Sequence, residues 1–261
     1  MRIIIAPAKK MRRSHEMMPE SRPVFLNESE KLLDALRRLT EVQRKAVWAC
    51  SDSIAIENEA ALQQMNLESS GIPAILAYDG IQYVYMAPET FSEKMAAYAN
   101  EHLRILSGFY GVLSPMDGVL PYRLEMQAKL PVDGKTGLYA FWGSRLYEAV
   151  LPDDGVIINL ASKEYSRAIE PYLKHSDRMI TCIFGEWSGD RIVTKGVYAK
   201  MARGKMVRYL AENGAETPEE MKRFDRLDYR YHPELSDDVS YVFMREQPVR
   251  QSRPAFEWND A

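Results

Sequence analysis

The chain is poor in the residues that most often declare a chemistry. Among its 261 residues there are 2 cysteines and 4 histidines. Cys50 and Cys182 lie far apart, in no metal-ligand spacing and with no disulfide framework around them, which fits a reducing cytosol. Both read as small apolar side chains rather than redox-sensing thiols. His15, His102, His175 and His232 share no ligand spacing, so no metal, structural zinc or haem site is expected. No apolar run approaches the roughly 20 residues that span a bilayer, and the segment Met1 to Lys10 is too short for a signal sequence. The expectation is a cytoplasmic protein without membrane contact. A dominant charge is also missing. With 34 Lys and Arg against 37 Asp and Glu the formal net charge is -3, so a nucleic-acid surface has to arise from local clustering. GxGxxG, P-loop, HExxH and GxSxG signatures are all absent, and no cofactor is expected.

What is present is an ordinary globular composition, 46% hydrophobic and 27% charged, with enough chain for a substantial core. Ile3 to Ile5 are consecutive β-branched residues, the pattern of a strand buried on both faces. The strand ends at Pro7, and Lys9 and Lys10 follow at its carboxyl end, a common place for ligand-binding groups in α/β architecture. Residues 11 to 25 read as an extended or mobile loop. Asn27 and Glu30 mark a helix start, with Leu32, Leu33, Leu36 and Leu39 as its apolar stripe. Thr40 caps a second helix that ends near Ser51, and a third turns Ile54, Ala61, Leu62 and Met65 inward. Residues 74 to 86 read as two strands about Asp79-Gly80. A helix from Ser92 to Leu106 stops at Gly108, with His102 beside its apolar stripe as a boundary histidine holding a backbone partner.

The stretch from His102 to Met126 then passes through a glycine- and proline-punctuated loop into a short strand, Tyr122 to Met126. On a strand, Arg123 and Glu125 project to one face. They read either as a structural pair closing a buried loop, or as an arginine that clamps a phosphate or carboxylate beside a catalytic base. A further amphipathic helix carries Leu138, Phe141, Trp142, Leu146 and Val150. Gly155 to Leu160 is a second buried-strand signal running into Ser162 and a helix start, an arrangement that offers N–H groups to an anion. A hairpin about Ser188-Gly189-Asp190 leads to a basic helix, residues 197 to 213, closed by Gly214. On it Lys200, Arg203, Lys205 and Arg208 spread over a broad arc, as a solvated face or a phosphate-contacting one. Thr217, Pro218 and Glu220 start another helix, and residues 229 to 231 and 240 to 244 a final strand pair. One α+β or mixed α/β domain with a mixed sheet, several helices and an unusual topology is expected over residues 1–246. A polar tail, expected to be loosely ordered or disordered, occupies 247–261.

Several ordered blocks resemble one family, the YaaA-like peroxide-stress proteins of bacteria. They are Pro7-Ala8-Lys9, the run from Glu89 to Glu93, Leu103 to Leu113 with Pro115 and Asp117, and Pro121 to Met126. Phe141-Trp142-Gly143, Asn159 to Tyr165, Tyr198-Ala199-Lys200 and Ala202-Arg203-Gly204 complete the match. The resemblance implies a role in the hydrogen peroxide response, linked to limiting free iron and oxidative damage. It also implies similarity to DNA-binding proteins, through a positively charged cleft and a helix-hairpin-helix-like element. That element would be the two helices about Ser51-Asp52-Ser53, which carry no glycine at the turn. Ser114, Met201 and Ala6 stand where the family commonly has arginine, lysine and serine, so these motifs are less basic here.

Three functions follow. The favoured one is binding of double-stranded DNA, with phosphates contacted by Lys9, Lys10, Arg104, Arg123, Asn159, Ser162, Lys200, Arg203 and Arg208. The alternative is an enzyme acting on a small phosphorylated or carboxylated substrate, with Glu125, Arg123 and Lys9 as catalytic candidates. The third, direct iron handling, has no ligand cluster to support it. A DNA-binding chain predicts an elongated basic groove. An enzyme predicts a closed pocket around Arg123 and Glu125.

Overall fold

A computed structural model describes residues 1–245. The isoleucine run forms strand β1 (Arg2–Ile5), and Ile3, Ile4 and Ile5 are wholly buried. After β1 an extended segment leads to helices α1 (Leu26–Arg38), α2 (Glu41–Trp48) and α3 (Asp52–Gln64), then to α4 (Ile81–Met86) and α5 (Glu93–His102). Strands β2 (Leu103–Ser107), β3 (Gly111–Leu113), β4 (Val156–Leu160), β5 (Arg178–Ser188) and β6 (Arg191–Val193) precede the long helix α6 (Gly196–Asn213). Strands β7 (Tyr229–Tyr231) and β8 (Ser240–Arg245) end the described chain. The sheet runs β7-β8-β5-β4-β1-β2-β3, with β6 hairpinned onto β5. Its five central strands are parallel and its edges antiparallel. This is a single mixed α/β domain.

The register explains the isoleucines. Ile4 lies beside Asn159 of β4 on one side and Arg104 of β2 on the other, so β1 has no exposed edge or face. The chain leaves β1 toward one edge of the sheet and later returns to lay β4 on the other side. The carboxyl ends of β1 and β4 therefore open a crevice where the strand order reverses.

Local chemistry sets the helices. Thr40 and Gln43 form a reciprocal capping box at the start of α2. Arg44, almost fully buried, holds Glu59 of α3 bidentately at 2.6 and 2.8 Å and donates to the Leu36 carbonyl, tying α1, α2 and α3 together. The α2–α3 turn uses Ala49 in the left-handed region, φ 47°, where a glycine would be unstrained. Helix α6 ends on Gly214 in the same region. His102 places Nδ1 3.0 Å from the Met1 carbonyl, the boundary role expected of it.

Elsewhere tertiary packing overrides local pattern. Residues 74 to 86 are not a pair of strands. They form a one-turn helix (Ala74–Ala77), a two-residue bridge (Tyr78–Asp79) and α4, because Tyr78 and Asp79 pair with Lys10 and Met11 rather than with each other's flanks. The helix expected to reach Leu106 stops at His102, and residues 103–107 are drawn into the sheet beside β1. The helix expected from Leu138 to Val150 breaks at Gly143. Ile54 faces outward, 39% exposed. The loop between β1 and α1 is extended but pinned: Arg12 N–H donates to Ala77 O at 2.8 Å and the Ser21 hydroxyl to Asp117 Oδ1 at 2.7 Å. The tail expected from Gln247 lies outside the described residues. Among the described residues no helix is long and apolar enough to cross a membrane.

Helix α6 lies closely along α4 because Gly204 has no side chain. A Cβ there would meet the Gln82 carbonyl oxygen at 2.1 Å and the Met86 nitrogen at 2.9 Å, both backbone atoms that cannot swing aside. Helix propensity alone favours alanine by about 1 kcal/mol. Overpacking against backbone costs about 1–3 kcal/mol and wins. Gly204→Ala is therefore expected to lower the urea midpoint without changing the m-value; a raised midpoint would contradict the contact.

Candidate functional site

The crevice at the ends of β1 and β4 is a cavity of about 380 Å³, bordered by the segments 6–10, 79–83, 122–125 and 162–165 and by α6. Each wall is positioned by the fold. The 6–10 segment continues β1. The 79–83 segment is held to it by the Tyr83 hydroxyl, which donates to the Ala6 carbonyl at 3.0 Å, and by Lys10, 2.6 Å from Asp79 Oδ2. The 122–125 segment is extended backbone outside any sheet, so the expected strand is absent, but its alternation survives: Leu124 and Met126 are buried and Arg123 and Glu125 face the other way. Gly108 fixes its height. A Cβ on Gly108 would lie 2.4 Å from the Leu124 carbonyl oxygen, and the Trp142 indole N–H donates to Gly108 O at 3.0 Å behind it.

Two kinds of charge share this cavity. Glu125 Oε1 sits 2.8 Å from Lys9 Nζ and 3.5 Å from an Arg123 Nη. Arg123, 10% exposed, donates its Nε–H to the Trp48 carbonyl at 3.2 Å, which joins the pocket to the end of α2. Glu164 accepts from Gln127 N–H at 3.3 Å. Its carboxyl is held above the ordinary glutamate value, first by burial and then by the nearby charge of Glu125.

Arg203 is different. It lines the cavity, yet among the described residues it has no hydrogen bond and no ion pair, and its Nε is fully buried without a partner. Burial lowers its pKa, and among the described residues the group that acts on it in the opposite direction is Cys182. That thiol is pushed up to about 12 by its own burial, so it supplies no negative charge at neutral pH. Lys200 lies three residues earlier on the same side of α6 and is exposed at the cavity wall.

Phenols complete the lining. Ser107 Oγ accepts from the N–H groups of Phe109 and Tyr110, which occupies its lone pairs and turns its proton toward the Tyr122 oxygen at 2.6 Å. Tyr122 also contacts the Tyr78 hydroxyl at 3.0 Å, and burial pushes its pKa up to about 12. Tyr165 is raised further, again chiefly by burial. These groups stay neutral and act as hydrogen-bonding walls.

Of the residues singled out in the sequence, the pocket brings together Lys9, Lys10, Arg123, Glu125, Ser162, Lys200 and Arg203. Three lie elsewhere. Arg104 donates to the Asn100 and Glu101 carbonyls at the carboxyl end of α5. Asn159 is buried inside the sheet, bonded to Thr181 Oγ1 and Ala161 N. Arg208 pairs with Glu212 and donates to Thr90 and the Met86 and Ala87 carbonyls, bracing α6 against the end of α4. Ser162 stands at the N-cap of a helix of only one turn, with no side-chain cap bond, and Tyr165 and Ser166 N–H return to its carbonyl. Glu164, Asp79, Tyr83 and Tyr122 were not among the candidates. Glu164 stood two residues after Ser162 in the same motif; Asp79 was hidden by its turn-like Asp-Gly context. Among the described residues no cluster of three or more His, Cys, Asp or Glu could hold a metal ion.

A parallel-centred mixed sheet with a mixed-charge cavity at its strand ends defines an α/β protein with a polar crevice where the strand order reverses. Its family is explicit: the chain belongs to that of the peroxide stress protein YaaA, matched over residues 1–235. It is similar to a UPF0246 protein of Lachnoclostridium phytofermentans, 49% identical over 255 residues that cover 97% of this chain and 100% of the relative. UPF0246 proteins of Agathobacter rectalis and Pediococcus pentosaceus are each 48% identical, over 94% and 95% of this chain and 99% of their own length.

Glu164 makes a pH prediction. Its carboxyl is raised in the folded state from an ordinary 4.5, so below that value both states hold the proton and nothing is lost. As pH rises from there through the raised value, ionisation opposes folding, and the loss is complete above it. Glu164→Gln is expected to gain stability over wild type across that window and keep the gain at higher pH. Urea midpoints between about pH 4 and 8 check this; a difference that shrinks with rising pH would refute it.

Proposed function

We propose that the chain serves peroxide defence in the cytosol by binding a small phosphorylated or carboxylated ligand in this cavity, as an enzyme rather than as a DNA-coating protein. The observation that carries the reading is Arg203. A desolvated guanidinium without a counter-charge costs stability, and folded proteins tolerate it where a bound anion supplies the partner. Lys200 beside it adds a second, mobile cation. The cavity is at the small end of the roughly 300–1,000 Å³ typical of ligand sites, and Arg123 and Glu125 are among its lining residues.

Duplex DNA remains the second reading, on one observation. Lys9 and Lys10 keep 66% and 81% of their side chains exposed, and Lys200 is exposed with them, so three lysines meet solvent around one opening. Against it, Arg104 and Arg208 spend their donors within the fold, and α2 and α3, the expected hairpin element, expose Glu41, Asp52 and Glu57. Any effect on free iron would then be an indirect consequence of the ligand chemistry.

The test compares phosphomonoesters, small dicarboxylates and duplex DNA on wild type and Arg203→Gln. Small anions are expected to raise the melting temperature of wild type and to bind the variant about tenfold or more weakly, the loss of a charge-assisted hydrogen bond. Without ligand the variant is expected to be as stable as wild type or more so. Absence of any small-anion shift, with salt-steep DNA binding that Lys200→Ala weakens, would hand the function to DNA.

A further inference from the structure

An anion anchored by Arg203 and Lys200 leaves half of the cavity without a purpose. Glu125 and Glu164 both line it, and a phosphate held by Arg203 and Lys200 needs neither of them. The two charge sets are also separate. Among the described residues Glu164 feels the charges of Glu125 and Lys9, whereas the group that acts electrostatically on Arg203 is Cys182. The cations of the anchor come from α6; the carboxyls come from the 122–125 and 162–165 segments. The anion is therefore a handle, and the reacting bond lies away from it.

The two carboxyls are held unlike each other. Glu125, 14% exposed, is gripped by Lys9 and by Arg123, itself fixed to the Trp48 carbonyl. Glu164 is met by backbone N–H groups of the 126–127 turn, Gln127 N–H at 3.3 Å, and its own carbonyl is pinned by the Tyr139 hydroxyl at 2.7 Å. It is also the carboxyl that burial and its neighbour drive toward the protonated form. A proton-holding acid beside an ion-paired carboxylate is the pairing that divides acid from base work. The sign of the charge that the site stabilises decides the reaction class. Acyl and phosphoryl transfer develop negative charge, which calls for free donors, and here Lys9 and Arg123 are turned onto Glu125. Glycosidic cleavage develops a positive, oxocarbenium-like carbon, which carboxylates stabilise.

We propose that the pocket hydrolyses the glycosidic bond of a phosphorylated glycoside, with Glu164 as the proton donor and Glu125 as the base; this rests on the anion-binding reading above. The oxygen of a water bonds to the anomeric carbon while one of its protons passes to Glu125. The bond from that carbon to the leaving nitrogen or oxygen breaks, its electron pair stays with the leaving atom, and that atom takes the proton of Glu164. The products are a free sugar phosphate and the protonated leaving group, and the proton on Glu125 returns to Glu164 through solvent.

Nucleoside 5′-monophosphates and p-nitrophenyl glycoside 6-phosphates are the probes, each beside its unphosphorylated counterpart. Wild type is expected to cleave the phosphorylated probes at least about 100-fold faster than the counterparts, with a rate that falls as pH rises through the raised value of Glu164. Glu125→Gln and Glu164→Gln are each expected to lower kcat about 100-fold or more on the nucleotides while probe affinity holds. On the nitrophenyl probe, whose leaving group needs no proton, Glu164→Gln is expected to recover most of the rate and to lose the alkaline decline. Probes that bind in an Arg203-dependent way but are not cleaved by wild type would overturn the glycosidic proposal and leave the anion site standing. Probes that do not bind would overturn both. Unchanged turnover in Glu164→Gln would remove its role as acid.

Discussion

Everything at the cavity depends on the burial of β1. Ile3, Ile4 and Ile5 have parallel partners on both sides and no exposed surface. Fully burying each side chain is worth about 1.5–3 kcal/mol. The strand therefore cannot slip without turning apolar residues outward or leaving backbone groups unpaired. The chain end of that strand is consequently the most precisely held backbone available, and Ala6 to Lys10 continue directly from it into the cavity wall. The Tyr83 hydroxyl on the Ala6 carbonyl carries this rigidity across to α4, and Gly204 carries it on from α4 to α6. Arg203 and Lys200 are thus set by a chain of close contacts that begins at three isoleucines.

The opposite wall is set by a second constraint of the same kind. Gly108 lets the backbone of Leu124 and Glu125 approach to a distance no side chain permits, and Trp142 bonds to the same glycine from behind. A ladder of sheet hydrogen bonds would have fixed the segment's height less directly, since the carboxylate of Glu125 must meet Lys9 across the cavity. Close packing against a glycine places the loop by exclusion, while the alternation of Leu124 and Met126 inward keeps Arg123 and Glu125 on the cavity side.

Much of this was legible in the chain. The isoleucine run, the Thr40 cap, the hairpin about Gly189 and the Gly214 stop all follow from local rules, and the structure has each. Lys9, Arg123, Glu125, Lys200 and Arg203 stood out as polar groups near element ends, and they meet. What could not be read was set by partners distant in sequence. Residues 103–106 carry a helical period, yet β1 offers them a ladder worth more than continuing α5. Tyr78 and Asp79 look like half of a hairpin, but their partners are Lys10 and Met11, some 68 residues earlier. Arg104 and Arg208 look like phosphate contacts because nothing in a sequence says that helix-end carbonyls will use their donors first.

The family's motif blocks separate on this structure into two physical jobs. Pro7 to Lys9, Tyr122 to Glu125, Ser162 to Tyr165 and Lys200 with Arg203 face the cavity. Gly108, Trp142, Asn159 and Gly204 do not line it; they hold the segments that do, through close backbone approach or by satisfying buried backbone groups. Folding stability alone would account for the second group but not for the first. Stability has no use for an arginine whose buried Nε finds no partner among the described residues, and exchanging such a charge for a neutral group commonly costs nothing. A guanidinium kept at the end of a chain of close contacts, with two carboxyls held unlike each other in the same small cavity, is an arrangement whose free-energy cost the proposed ligand would offset.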